Sequence, residues 1–350
     1  MGNLMHASLA LALLCAFGAT VPGDRGTAFV LGNDGAALAQ QLDAQALGDG
    51  IELFRLRPNF YVLTGAGGNV ALQVGPDGGI VVDAGDAAHA ERMATELKKL
   101  TTEPVRYVIN TSVDADHVGG NEVVARAGRT ILQTRNALGN AMTNDGAAAI
   151  LAAEAVLLRM SAPTGETAAY PIAAWPTETF PQLRKYMYFN DEGIEVLHQP
   201  AAHTDGDSIV FFRRSDVVVA GDIIDMRRFP VIDVARGGSI NGEIAALNRL
   251  VELAIPSVPI VSREAGTVIV PGHGRLLDQT DVAEYRDVVT IVRDRIDHLR
   301  KEGKSLSEVK AANPTQGYRT RYGSDTGSWT TDMFVEAVFT SLAAGAPQQH

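Results

Sequence analysis

The sequence predicts an α/β protein in which two β-sheets are covered by helices within one domain. Stretches rich in short strand-like runs and glycine turns alternate with segments in which apolar residues recur at helical spacing. No linker, internal repeat or low-complexity segment is visible in the 350 residues. Because sheets and helices bury their apolar faces against another layer, this order of elements favours a layered domain.

The first half of the chain, from Asn59 onward, is dominated by predicted strands. They are bounded by glycines and turns, and they cover residues 60–64, 69–75, 79–83, 105–110 and 130–134. The helices predicted in this half cover residues 87–100, 119–127 and 144–160, the last being rich in Ala and Leu. An irregular, proline-containing stretch follows them.

The second half repeats the strand pattern and ends in helices. Strands are predicted over residues 194–199, 208–213, 216–220 and 267–271, with a helix over 242–254 between them. Thr280 is a candidate N-cap for a helix that runs to Lys301, and Ser305 with Glu308 forms a capping-box pair. A last amphipathic helix is indicated by Phe334, Val338 and Leu342.

Composition and net charge limit the kinds of molecule that the protein is expected to bind. Hydrophobic residues make up 46% of the chain and charged residues 20%, which suits a globular protein with a substantial core. The 30 Lys and Arg residues are outnumbered by 41 Asp and Glu residues, so the formal net charge is −11. An acidic chain without a basic stripe is a poor binder of phosphate backbones. We therefore expect a small-molecule substrate and no nucleic acid; the oligomeric state is not indicated.

The N-terminal segment predicts export. Residues 8–21 form an apolar run of the length of a signal-peptide core, although no Lys or Arg precedes it. We expect residues 1–39 to be a signal peptide and a disordered segment, with the cleavage point open, and residues 40–350 to form a single domain. The protein would then be periplasmic or secreted, with no stable membrane insertion. The alternative is a buried N-terminal helix.

The single cysteine, Cys15, lies inside this apolar run. A lipoprotein signal needs a small residue before the cysteine, and Leu14 is not small, so we expect no lipid anchor. Once the signal is cleaved, no cysteine remains to form a disulfide or to bind a metal. Any metal must then be held by histidines and carboxylates.

Seven such side chains lie near the ends of predicted strands. They are Asp83, Asp114, Asp116, His117, His203, Asp222 and His273. Nearly all follow an apolar run and precede a glycine or a turn, which is where an α/β scaffold presents ligands at one edge of its sheets. The sequence has no phosphate-binding GxxxxGK[ST] loop, no HExxH helix and no GxSxG nucleophile motif. These seven residues are therefore the candidate site.

Five segments in order resemble the metallo-β-lactamase-fold hydrolase superfamily. They are GGIVVDAG (78–85), DADHVGGN (114–121), AHTDGDS (202–208), VVVAGDII (217–224) and IVPGHG (269–274). The resemblance covers about residues 59–274. The resemblance implies a four-layer αββα sandwich with a metal site at the shared edge of two sheets, and hydrolysis by a metal-bound hydroxide.

The sequence departs from the family at the first metal position. The family signature His-x-His-x-Asp-His is replaced by Ser112-Val113-Asp114-Ala115-Asp116-His117, so both histidines of the first position are missing. By the resemblance, the first position keeps only His203 beside Ser112 and Asp114. The second position keeps its ligands, Asp116, His117 and His273, with Asp222 as the residue that bridges the two metals in the family.

The remaining residues suit one metal ion better than two. Two imidazoles and a carboxylate, with a second carboxylate nearby, form a good site for Zn²⁺ or Fe²⁺. We expect one tightly bound Zn²⁺ per chain, with iron as the alternative, and Asp116 and Asp114 as catalytic residues. Three carboxylates, Asp114, Asp116 and Asp222, around one pocket also call for a cation, unless Asp114 is protonated or points to solvent.

Other interpretations stay open at this point. The five shared residues Asp116, His117, His203, Asp222 and His273 could be turn and cap residues in an inactive copy of the fold. Asp114 could be a ligand, a base or a solvated loop carboxylate, and Ser112 is more typical of a loop hydrogen bond than of a ligand. The protein could also be a non-hydrolytic metal- or ligand-binding relative, or a mononuclear iron redox enzyme. Asp83, which ends a strand, is expected to be structural.

Overall fold

The computed structural model describes residues 27–29, 41–131, 146–165, 167–257 and 266–343. In chain order the strands of this part are β1 (Thr27–Phe29), β2 (Gln41–Gly48), β3 (Ile51–Arg57), β4 (Phe60–Ala66), β5 (Gly68–Gly75), β6 (Gly78–Val82), β7 (Val105–Ile109), β8 (Ala149–Ala153), β9 (Pro163–Thr164), β10 (Thr167–Ala168), β11 (Glu178–Phe180), β12 (Arg184–Phe189), β13 (Glu192–Gln199), β14 (Asp207–Phe212), β15 (Val217–Gly221) and β16 (Val268–Pro271).

The α-helices of the same residues cover the two sheets. They are α1 (Ala90–Leu100), α2 (Ala115–Val118), α3 (Asn121–Ala127), α4 (Glu154–Ser161), α5 (Ile240–Leu253), α6 (Gln279–Lys301), α7 (Leu306–Ala311), α8 (Arg319–Tyr322) and α9 (Thr331–Ala343). Single 3₁₀ turns lie at Ile172–Ala174 and Val234–Arg236. None of the described helices is both long and apolar enough to cross a membrane.

The strands form one large and one smaller mixed sheet. The nine-stranded sheet has the order β1-β2-β3-β4-β5-β6-β7-β8-β11, and the five-stranded sheet runs β12-β13-β14-β15-β16. Strands β1 to β6 are antiparallel, whereas β6, β7, β8 and β11 are parallel. In the smaller sheet β15 and β16 are parallel. Strands β9 and β10 pair separately.

Successive side chains of the inner strands point to opposite faces of each sheet. Each sheet therefore packs against the other sheet on one face and against helices on the other, which gives four layers. In β6, Ile80 and Val82 lie in the core between the two sheets, whereas Val81 belongs to the core beneath α1 and α3. In β15, Val217 and Val219 lie in the core between the sheets, and Val218 lies under α5, α6 and α9. Because successive side chains of a strand point to opposite faces, strands buried on both faces become wholly apolar. The αββα sandwich expected from the resemblance is confirmed.

The segment at residues 144–160 is a correction to the sequence analysis. It was predicted to be one helix, but Ala149–Ala153 form strand β8 and only Glu154–Ser161 form helix α4. Strand β8 lies between β7 and β11 and is almost completely buried. Its hydrogen bonds to two neighbouring strands outweigh the intrinsic helix propensity of alanine.

Smaller differences concern the ends of elements. The cap of α6 is Asp278 rather than Thr280, and it forms a capping box with Asp281. The Ser305–Glu308 capping box is present as predicted. Strands β2 and β3 precede Asn59 and were not predicted. Of the strand predicted at 130–134, residues 132–134 lie outside the described residues. So do residues 1–26 and 30–39 of the segment that was expected to be a signal peptide and disordered, within which Thr27–Phe29 form β1.

Candidate metal centre

Loops from both sheets bring the candidate residues to one edge of the sandwich. His117 lies on α2, which follows β7, and Asp114 is the N-cap residue of that helix. His203 lies in the loop between β13 and β14. Asp222 and His273 follow the parallel strands β15 and β16 at their carboxyl ends. The sequence positions of these residues are far apart, but parallel neighbouring strands end at the same edge.

The candidate ligands form two groups that share one residue. In the first group, one ligand atom each from Asp116, His117, Asp222 and His273 lies within 4.8 Å of the others. In the second, the same holds for Asp114, His203 and Asp222. The structure therefore brings together all six metal-ligand candidates of the sequence analysis, with Asp222 between the two groups.

His117 is oriented by the carboxylate of Asp83. The fully buried imidazole donates from Nδ1 to Asp83 Oδ2 at 2.8 Å. Asp83 is itself held by Thr111, whose backbone N–H and hydroxyl donate to the carboxylate at 2.8 and 2.6 Å. The other ring nitrogen, Nε2, lies 3.1 Å from Asp222 Oδ1 but makes no hydrogen bond. A buried nitrogen that faces two carboxylates and a histidine without a hydrogen bond is suited to binding a cation.

Close backbone packing positions Asp222 and His273. His273 Nε2 lies 3.1 Å from Asp116 Oδ2 and 3.5 Å from Asp222 Oδ1. A Cβ atom at Gly272 would come within 2.4 Å of Asp222 Oδ1, so only glycine fits between these two ligands. Asn69 donates from its side chain to the Pro271 carbonyl and from its backbone to the Gly272 carbonyl, which fixes the turn before His273.

The carboxylates and imidazoles of the first group shift each other's pKa. Burial opposes ionisation of His117, but the carboxylates of Asp222 and Asp83 outweigh it and raise the pKa of His117 well above its ordinary value. Burial likewise disfavours a charged Asp222, yet His117 and the other imidazoles lower the pKa of Asp222. The anionic carboxylates thus favour a positive charge at this position.

In the second group, which corresponds to the first metal position of the resembling family, Asp114 is engaged through both of its oxygens. His203 Nε2 lies 2.7 Å from Asp114 Oδ2, and Arg236 Nη1 donates to Asp114 Oδ1. Burial favours the neutral acid, but these two hydrogen bonds outweigh it and lower the pKa of Asp114 to about 2. Ser112 is buried and its hydroxyl lies 3.4 Å from the Asp114 backbone nitrogen. Asp114 is therefore a paired anion and not a solvated carboxylate.

Arg236 is the site residue that the sequence analysis missed. It contacts Asp114 across 122 positions of sequence. Nothing in the local sequence VARGG distinguishes it from a surface arginine. The one available signal is indirect: a carboxylate, Asp114, stands where the resembling family has a neutral histidine, and a buried carboxylate needs a cation.

A backbone carbonyl orients the His203 ring. Its Nδ1 donates to the Val231 carbonyl at 2.8 Å, so that backbone oxygen orients the ring. Asp205 forms an ion pair with Arg159, and Asp207 accepts hydrogen bonds from Thr204. The two aspartates serve the turn and do not orient the imidazole.

Replacing Asp83 by Asn should weaken metal binding by about 10- to 100-fold, as is typical for a residue that orients a ligand histidine. Asp83 has φ 61, a conformation that Asn tolerates, so the backbone should be retained. An amide no longer favours the proton on His117 Nδ1, so Nε2 would lose its preference for the unprotonated form. Zinc affinity measured by chelator competition checks this. Asp205→Asn is the matched control, and equal affinities of the two variants would contradict the prediction.

Comparisons with known proteins identify one family model and several similar solved structures. A family model described as the Metallo-beta-lactamase superfamily matches residues 63–277. Among solved structures, the chain is similar to a double mutant of the sec-alkyl sulfatase PisA1, with a TM-score of 0.59 and 14% identity over 84% of this chain and 50% of that one. No curated protein sequence matches.

Two further solved structures are similar. The stereoselective inverting sec-alkylsulfatase Pisa1 from Pseudomonas sp. has a TM-score of 0.57 and 16% identity, over 82% of this chain and 49% of that one. A metallo-beta-lactamase from Pontibacter korlensis has a TM-score of 0.48 and 17% identity, over 71% of this chain and 99% of that one. The chain thus spans about half the length of the alkylsulfatases it matches, and at these identities the likeness to them shows the fold alone.

Proposed function

This chain belongs to the metallo-β-lactamase superfamily, and from that premise we propose that it is a metal-dependent hydrolase with one tightly held Zn²⁺. The observation that carries the proposal is the convergence of ligand atoms from Asp116, His117, Asp222 and His273 within 4.8 Å of one another. Two imidazoles and two carboxylates match the ligand preference of zinc. Members of the superfamily are often hydrolases, so a hydrolytic reaction is the general class.

The ligand set has chemistry suited to hydrolysis. A bound Zn²⁺ would lower the pKa of its water ligand to roughly 7 and so supply hydroxide at neutral pH. Asp116 is the most exposed of these ligands, with 37% of its side chain accessible, and it lies beside His273. We assign proton acceptance during the reaction to Asp116, because its side chain has access to solvent. Asp114, whose pKa is about 2 and whose oxygens are both engaged, would contribute a fixed negative charge.

A cavity beside His273 offers room for a small-molecule substrate. Its volume is about 430 Å³, within the range of small-molecule pockets. Apolar side chains of Phe54, Val62 and Leu276 line it together with Arg227 and Arg275. We propose that the scissile ester, amide, lactam or thioester approaches His273 from this cavity.

Metal analysis joined to a substrate panel tests the proposal. Protein purified without added metal should contain about one zinc per chain, and it should hydrolyse at least one of a panel of esters, lactones, lactams, thioesters and alkyl sulfate esters. Sulfate esters belong in the panel because two similar structures are alkylsulfatases. Iron without hydrolysis would favour a redox enzyme instead. The absence of both metal and activity would favour a binding relative and contradict the proposal.

We further propose that the protein is exported. Expressed with its leader in a bacterium, it should be recovered outside the cytoplasm with a shortened N-terminus, because residues 8–21 have the length and hydropathy of a signal-peptide core. N-terminal sequencing and cell fractionation check this. A control with Leu11→Arg and Leu13→Arg should remain in the cytoplasm at full length. Intact Met1 on cytoplasmic wild-type protein would refute export.

A further inference from the structure

Arg236 occupies the side of the Asp114 carboxylate that faces away from His203. Each oxygen of the Asp114 carboxylate has a partner: Oδ1 accepts from Arg236 Nη1, and Oδ2 lies 2.7 Å from His203 Nε2. The guanidinium thus lies beside the second candidate group, Asp114, His203 and Asp222. That group corresponds to the position at which both signature histidines are missing from the sequence.

Hydrogen bonds fix both the backbone and the side chain of Arg236. Asp233 caps the 3₁₀ turn by accepting from the Arg236 backbone N–H at 2.9 Å, and it accepts from Arg236 Nε at 2.7 Å. The same turn is tied to the His203 loop, because Asp233 N donates to the His203 carbonyl and Asp205 N donates to the Arg236 carbonyl, each at 2.9 Å. A Cβ at Gly238 would lie 2.2 Å from the His203 carbonyl, so the turn and the loop are in close contact.

We propose that the guanidinium of Arg236 is a built-in cation that takes the place of a second metal ion at Asp114 and His203. The inference rests on the proposed function, which places the single metal at Asp116, His117, Asp222 and His273. An arginine is charged at every physiological pH, and its N–H donors match carboxylate oxygens. A divalent ion on Asp114 would have to approach this fixed positive charge and would be repelled by it.

The chain offers variants that separate charge from shape. Arg236→Gln removes the charge but retains the backbone N–H that Asp233 caps, so the turn should form. Arg236→Lys keeps a positive charge on a side chain of similar length. Arg159→Gln is the matched control: Arg159 has a similar exposed side-chain fraction, 34% against 30%, and pairs with Asp205, which belongs to neither ligand group.

The experiment is a zinc titration with chelator competition, together with elemental analysis after gel filtration. Wild type, Arg236→Lys and Arg159→Gln should each bind one zinc tightly. Arg236→Gln should bind a second, with an affinity for the second ion at least about a hundredfold above that of wild type. Thermal unfolding of each variant without metal shows whether the fold is retained.

The outcomes separate the two proposals. One zinc in wild type and one in a folded Arg236→Gln variant would overturn the role of Arg236 and leave the proposed function intact. Two tightly bound zinc ions in wild type would also overturn it, since Arg236 would then not exclude the second ion. No zinc in wild type at saturating concentration would contradict the proposed function itself.

Discussion

Alanine at His117 or at His273 is expected to remove the bound metal ion and any hydrolytic activity together. Each histidine supplies one of four converging ligand atoms. A complete structural zinc site contributes roughly 10–16 kcal/mol, so the loss of one ligand should cost several kcal/mol and lower zinc affinity by a hundredfold or more. Elemental analysis of each purified variant, with activity on the best substrate of the panel, measures both effects.

The two variants are expected to differ in stability. His117 is completely buried, and its removal takes away the imidazole that lies between the Asp83 and Asp222 carboxylates, so His117→Ala should also unfold at lower temperature. His273 is partly exposed at a turn, and its variant should keep the fold. His298→Ala on the exposed face of α6 is the control and should behave as wild type. Retained metal with unchanged turnover in both variants would overturn the site assignment.

Truncating Phe60 to alanine is expected to lower the free energy of unfolding by about 3–5 kcal/mol, the usual cost of removing a buried aromatic side chain. Phe60 is fully buried between the sheets and meets Phe212 of the other sheet edge to face, with ring centroids 4.9 Å apart. Since total stability is typically about 5–15 kcal/mol, this is a large fraction. The denaturation midpoint in urea, at unchanged slope, measures the loss.

Tyr188 provides the matched control for this truncation. It is an aromatic residue on strand β12, but 75% of it is exposed. Tyr188→Ala should change stability by no more than about 0.5 kcal/mol. If Phe60→Ala were as mild as Tyr188→Ala, the packing of the two sheets against each other would not be the source of stability described above.

Local patterns predicted the strands that precede the candidate ligands, β7, β13, β15 and β16. Strands such as β6 and β15 are continuous apolar runs that end in a polar residue and a glycine, and this pattern is a property of a few neighbouring residues. The capping box of helix α7 predicts where that helix begins. Strand β8 is one exception: its alanines favour a helix in isolation, and only its position between β7 and β11 makes it a strand.

For the candidate site too, the sequence predicts one part and the tertiary structure determines the rest. That Asp116, His117, Asp222 and His273 belong at strand ends was determined by the sequence itself, because each directly follows or closely succeeds an apolar run. Which atoms face each other was decided by tertiary structure. Asp83 holds His117 across 34 positions, and Arg236 holds Asp114 across 122. The His203 ring is oriented by a backbone carbonyl, Val231, that any residue type could supply. Pairings of this kind depend on where the chain returns in space, and no neighbouring residue encodes them.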